Sequence, residues 1–319
     1  MDKHWSSYCT MSIVHFMAFP SVMSGTGPIA ESISKIAEDP FFGAIEITSV
    51  LDPKEREAVR NVIDASNIKV GFGSQPLILR GGLNLNSLDD PEREAAVKAL
   101  KAYIDEAAEL GAKRFAFLSG RDPGDNDRSA ALEALIHSTK ELCAYGMEKG
   151  MAITCETFDR LIDKKALIGP AELACEYAAA VRPEYPNFGL MYDLSHQPLL
   201  FEESQKALKL LAPYLVHIHV GNCVLDKDTA GYGDSHPRFG WPGGCNGVDE
   251  LAQFITGLFE IGYLGHHSDE QPWVAFEVKP QSEKETPAQI VAGSKRIWQE
   301  AWRRTMREQP ADPTSAAQV

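Results

Sequence analysis

Four short apolar runs between residues 151 and 278 end on, or carry, a side chain that can bind a cation or move a proton. MAITCE (151–156) ends in Glu156, FGLMYD (188–193) in Asp193, YLVHIHV (214–220) carries His219 and WVAFEV (273–278) carries Glu277. Runs this short and this rich in β-branched and aromatic residues read as buried strands, in which side chains two apart share a face. The alternation groups Glu156 with Ala152 and Thr154, Asp193 with Gly189 and Met191, His219 with His217, and Glu277 with Ala275, while Val216, Ile218 and Val220 form the opposite, apolar face of their strand. Three carboxylates and an imidazole converging among apolar side chains repel one another unless a cation neutralises them. Such an oxygen-rich set suits Mn²⁺, Mg²⁺ or Co²⁺, and Zn²⁺ also fits. Acidic strand ends can instead cap the helix that follows, but four successive strands all presenting ligand types favour a divalent metal site. His217, one level deeper, reads as a supporting histidine and not a ligand.

Such residues need a frame that gathers strand ends. Eight strand candidates alternate with amphipathic segments: 11–19, 43–48, 68–73, 114–119, 151–156, 188–193, 214–220 and 273–278. The clearest helices span 92–110, 128–149, 171–182 and 285–306, with apolar residues at three- and four-residue spacing, and Gly111 and Gly150 stop two of them. Eight strands with eight crossovers predict an α/β fold, a closed (β/α)8 TIM barrel in a single domain over 1–308, with its chemistry at the C-terminal ends of the strands. An open doubly wound sheet is the alternative, and no Gly-x-Gly-x-x-Gly follows the first strand to support it. The segment QPADPTSAAQV (309–319) is expected to be a flexible tail.

Composition narrows the function. The 319 residues carry a net charge of −14, which argues against capture of nucleic acid by phosphate neutralisation. No run reaches the roughly 18 apolar residues needed to cross a membrane, and MDKHWSSYCT lacks the charged-then-apolar pattern of a signal peptide, so a cytoplasmic location is expected. The six cysteines lie far apart, as reduced thiols do.

In their order, FFGAIEIT (41–48), ITCETFD (153–159), YDLSH (192–196), HIHVGN (217–222), GGCNGVDELAQFITGLFEIGYLG (243–265) and AFEVK (275–279) resemble the sugar-phosphate isomerase/epimerase group of xylose isomerase-like TIM barrels, over nearly the whole chain. The resemblance implies metal ligands at Glu156, Asp193, His219 and Glu277, with Mn²⁺ foremost. It also implies that Glu156 and Glu277 act as the catalytic acid and base, and that His196 contacts the substrate oxygen beside the metal. The expected activity is isomerisation or epimerisation of a keto sugar through an enediolate. GDSHPRFG (233–240), with Asp234 and His236, resembles the metal-rich loop of endonuclease IV-type barrels. The strand ends GSQP (73–76) and FLSG (117–120) lack the histidines of their trinuclear zinc cluster, which leaves His236 and Arg238 as expected substrate contacts.

GNCVLDKD (221–228) lacks the arginine that ketose epimerases of this group commonly carry there, so the sugar stays open. Related barrels eliminate from oxidised 3-keto sugars, as does the catalytic subunit of C-glycoside-cleaving enzymes. A lyase with a small partner subunit is therefore the alternative, beside a homo-oligomeric isomerase; a non-catalytic sugar-binding barrel is a further one. His15, at the end of the first strand, and Glu46, on the second, are expected near the mouth as sugar hydroxyl contacts. Trp5, Phe42, Phe158 and Trp241 are candidates for an apolar pocket wall, with Trp241 on a lid hinged at GCNG (244–247).

Overall fold

Parallel strands in one sheet cannot be joined by tight turns, so each needs a crossover, and amphipathic helices supply them here. The structure, a computed structural model, describes residues 4–265 and 270–308. The strands are β1 (Thr10–Ile13), β2 (Ala44–Ile47), β3 (Lys69–Gly73), β4 (Arg114–Leu118), β5 (Ala152–Glu156), β6 (Phe188–Asp193), β7 (Leu215–Gly221) and β8 (Trp273–Glu277). Each is followed by a crossover helix: α1 (Ile29–Ala37), α2 (Pro53–Ser66), α3 (Asp90–Glu109), α4 (Arg128–Glu148), α5 (Ala171–Val181), α6 (Ser204–Leu211), α7 (Val248–Glu260) and α8 (Pro287–Glu308). The four helices read from the sequence lie within two residues of α3, α4, α5 and α8. The tail 309–319 lies outside the described residues.

The sheet runs β1-β8-β7-β6-β5-β4-β3-β2, all parallel. Its two edges meet without a full ladder: Gly43 N–H donates to Met11 O at 3.0 Å, and a single bridge joins Val14 to Glu46. This seam closes the (β/α)8 barrel. One face of every strand, with Ile45, Phe72, Phe117, Ile153, Ile218 and Phe276 among its residues, is fully buried in a continuous apolar layer. The helices begin and end where local chemistry says they should. Asp52 accepts from the backbone N–H of Lys54 and Glu55 at 2.7 and 3.1 Å, with Pro53 opening α2. Gly111, at φ +84°, ends the α3 segment in a conformation that favours glycine.

Two expectations change. The run 11–19 is not one strand: β1 stops at Ile13 and residues His15–Ala18 turn into a short helix. Phe16 and Ala18 are buried there as they would be in a strand, and an unbroken apolar run cannot distinguish the two. On β7, Val216 leaves the apolar face, because the register steps from Leu190 opposite Leu215 to Met191 opposite His217. That one-residue bulge turns Val216 against Gly189, where an added Cβ would sit 2.4 Å from its side chain.

Candidate active site

The barrel brings the four strand ends together. Asp193 lies beside His219, and Glu277 lies beside Gly221, two residues further along β7. Glu156, Asp193 and His219 are almost fully buried and Glu277 is 8% exposed, and one ligand atom from each falls within 4.8 Å of the others. Nδ1 of His219 lies 2.6 Å from Glu277 Oε2 and 3.5 Å from Glu156 Oε1.

Two of the carboxylates have one oxygen fixed and one free. Gln75 Nε2 donates to Glu156 Oε2 at 2.7 Å, and the Ser195 backbone N–H donates to Asp193 Oδ1 at 2.7 Å. Glu156 Oε1 and Asp193 Oδ2 are buried with no hydrogen-bond partner. Buried carboxylate oxygens left bare are costly, and these two point into a cluster whose donor set is that of a hard divalent cation. The residues fit such an ion. Burial pushes the Asp193 carboxyl upward, and the neighbouring Glu277 adds to the rise. Burial opposes a charge on His219, yet the Glu46 and Glu277 carboxylates outweigh it and hold the imidazole well above its usual range.

A second group adjoins the first and shares Asp193. His196 Nδ1 donates to Thr157 O at 2.7 Å, and its Nε2 comes within 3.2 Å of Asp234 Oδ1. His236 Nε2 lies 2.9 Å from the same oxygen and 3.6 Å from Glu277 Oε1. Lys164 Nζ reaches Asp234 Oδ2 at 3.0 Å. Burial disfavours the Asp234 anion, but His236, His196 and Lys164 together hold it well below the usual carboxylate range. Burial likewise opposes the His236 cation, and Asp234 and Glu277 push it up to about 9. His236 takes a left-handed backbone, φ 52°, uncommon for a residue with a side chain and a local strain. Asp193, His196 and His236 also offer atoms close enough to share an ion.

The other expected contacts are each engaged by neighbours. His15 is buried on the turn after β1, with Nε2 2.9 Å from Ser32 Oγ and its ring against Phe19. Glu46 points into the barrel interior and binds His217 and His219, so it does not offer a free oxygen at the mouth. Arg238 is held by Glu285, with Nε 3.2 Å from Oε1, and lies over the Trp241 ring; Trp241 Nε1 donates to Ala230 O at 2.9 Å. Of the aromatic residues, Phe158 packs on His196 at 4.3 Å. Trp5 packs on Phe41, and Phe42 on Phe276 in the helix-facing layer, so neither is a wall of this site. A hollow of about 660 Å³ at the opposite end of the barrel, lined by Arg114, Arg182 and Trp273, includes none of the candidate residues.

Sequence reasoning missed Gln75 and Lys164. Nothing in their spacing marks them, because the short helix Gln75–Gly81 and the loop after β5 are brought in only by closure of the barrel. Asp234 carried a signal in its Asp-x-His spacing but was not placed in the site. All six cysteines are free, and among the described residues no helix is long and apolar enough to cross a membrane.

A family profile described as xylose isomerase-like TIM barrel matches residues 36–296. No curated protein sequence matches the chain. Among solved structures, the chain is similar to a D-tagatose 3-epimerase-like protein, with TM-score 0.68 and 18% identity over 94% of this chain and 99% of that one. It is similar to an L-ribulose 3-epimerase, with TM-score 0.68 and 14% identity over 96% and 100%. It is also similar to an AP endonuclease, family 2, from Brucella melitensis, with TM-score 0.64 and 16% identity over 90% and 98%. Neighbours named for such different chemistries share this barrel, so function must be argued from the site.

Proposed function

This chain belongs to the xylose isomerase-like TIM barrel family, and from that premise we propose that it is a divalent-metal-dependent isomerase or epimerase of a keto sugar. The observation that carries the reading is the pair of bare, buried oxygens on Glu156 and Asp193, facing the Nδ1 edge of His219 beside Glu277. A divalent ion, Mn²⁺ in first place, would be held by Glu156, Asp193, His219 and Glu277 and would stabilise the negative charge that develops on a substrate oxygen. Glu156 and Glu277 both approach Nδ1 of His219. One removes the proton from the carbon next to the carbonyl, and the other returns it, to the opposite face for epimerisation or to the neighbouring carbon for isomerisation. Gln75 keeps one oxygen of Glu156 occupied and so fixes the direction of the other. His196, its Nδ1 spent on Thr157 O, turns Nε2 toward Asp234 and the cluster, where it can bind a sugar oxygen. The solved 3-epimerases of tagatose and ribulose type support epimerisation as the first choice.

If the substrate carries a leaving group β to the carbanion, the same two glutamates serve an elimination. The Asp193, His196 and His236 group favours a second reading, metal-assisted hydrolysis, which the endonuclease neighbour also supports. Against it, Gln75 and Ser119 stand at the ends of β3 and β4, where neither supplies a further nitrogen ligand.

The test is metal content of the purified protein together with solvent deuterium exchange into a panel of keto sugars, for wild type, Glu156→Gln and Glu277→Gln. We expect stoichiometric metal in wild type and exchange reduced at least 100-fold in both variants, the usual scale of acid–base assistance. Absence of metal in wild type after reconstitution would overturn the reading; a released aglycone without an isomeric sugar would replace it with the lyase.

A further inference from the structure

Glu46 rises from β2, which the ring separates from β7 by two intervening strands, yet its carboxylate meets both histidines of β7 inside the barrel. It is 4% exposed. Oε1 accepts from His217 Nε2 at 3.0 Å and from Ser12 Oγ at 3.2 Å, and Oε2 accepts from His219 Nε2 at 2.8 Å. The position is provided for by its neighbour on β3, because a Cβ at Gly71 would lie 3.1 Å from Glu46 Cγ.

We infer that Glu46 is a positioning residue that fixes the tautomer of His219, holding the proton on Nε2 so that Nδ1 presents its lone pair to the metal site. An ionised carboxylate can only accept, so each ring nitrogen it faces must carry a proton. By the same rule Nδ1 carries a proton where it meets Glu277 Oε2, and that is the proton a cation would displace, because Glu46 keeps the one on Nε2. A ligating histidine whose other N–H is held by a carboxylate is fixed in orientation and strengthened as a donor. His217 plays the complementary part: its ring packs against Trp273 at 5.9 Å and His219 at 5.1 Å, and its hydrogen bond keeps the second oxygen of Glu46 from turning toward the mouth. The inference rests on the metal-dependent reading above and goes past it, since both Glu46 oxygens are taken up by His217, His219 and Ser12.

Glu46→Gln separates the possibilities. The amide keeps the shape but offers one acceptor and one donor, so it cannot accept from both imidazoles. We expect Mn²⁺ affinity, measured by titration with detection by electron paramagnetic resonance, to fall about 10- to 100-fold, the usual cost of removing such a partner. In ¹⁵N-histidine-labelled, Mg²⁺-loaded protein, the long-range ¹⁵N–¹H pattern should show one Nε2-protonated, Nδ1-ligated histidine that is lost in the variant. A purely packing role would lower the unfolding midpoint and leave both the tautomer and the affinity unchanged, and that result overturns the inference. If wild type binds no Mn²⁺, the metal-dependent reading itself has failed, which is a different result. Should Glu46→Gln not fold, Gly71→Ala, which displaces Glu46 by a few tenths of an ångström, should weaken Mn²⁺ binding several-fold; wild-type affinity there counts against the inference.

Discussion

Histidine serves three different ends in this chain, and its surroundings decide which. His219 lies between carboxylates on both edges, His196 and His236 share Asp234, and His15 has no carboxylate among its hydrogen-bond partners. Burial alone drives His15 down to about 3, so it stays neutral in the folded protein. Its unfolded value is near 6.5, so between those limits the unfolded chain binds a proton that the folded one does not, and stability falls as pH drops below 6.5. This site should contribute roughly 2 kcal/mol of destabilisation at pH 5 relative to pH 7. Urea titrations at the two pH values should show a loss smaller by that amount in His15→Gln; an equal loss in both proteins would contradict it. The four ligand-type residues were legible because each closes or tips a short apolar run and shares a face by simple alternation. The direction of Glu46 was not, since a strand position says inward without saying toward which partner. The turn that carries His15 was not legible, because a mainly apolar run gave no sign of the change after Ile13.

Among the elements, the β6–β7 bulge shows what periodicity leaves out. Alternation placed His217 and His219 inward correctly, but Val216 sits one residue out of step and packs on Gly189. An inserted residue changes neither the composition nor the apolar character of the run, so it leaves no trace in the sequence until partner strands impose their register. The glycine is part of that arrangement. With its added Cβ 2.4 Å from the Val216 side chain, Gly189→Ala should lower stability by about 1–3 kcal/mol, the range for overpacked cores. Chemical denaturation checks the size, and the double variant Gly189→Ala/Val216→Ala should recover part of the loss. Full stability in the single variant would mean that the bulge relaxes freely.

At the scale of the whole molecule, the barrel encloses several buried acidic groups in a chain that already carries a net charge of −14. Folding must therefore place like charges close together, and a cation that binds only the folded form offsets that cost. Removing metal with a chelator should lower the unfolding temperature, and re-adding Mn²⁺ at 100 times its dissociation constant should restore about 2.7 kcal/mol. The gain should vanish in the Glu156→Gln/Glu277→Gln double variant; an unchanged melting curve in wild type with and without metal would exclude a stabilising ion. Eight strands and their crossovers made this architecture readable, because each βα unit states its own pattern locally. The seam, by contrast, is a relation between distant segments. β1 forms its ladder with β8, Thr10 opposite Trp273, and meets β2 through one bridge and one backbone bond. Synthesis runs from β1 toward β8, so Met11 and Ile13 lack their partners until the chain has been made as far as Val274 and Phe276. Without β8 the remaining strands can form only an open arc, so the ring, together with the cluster of acids it gathers, is complete only when two strands far apart in the sequence meet.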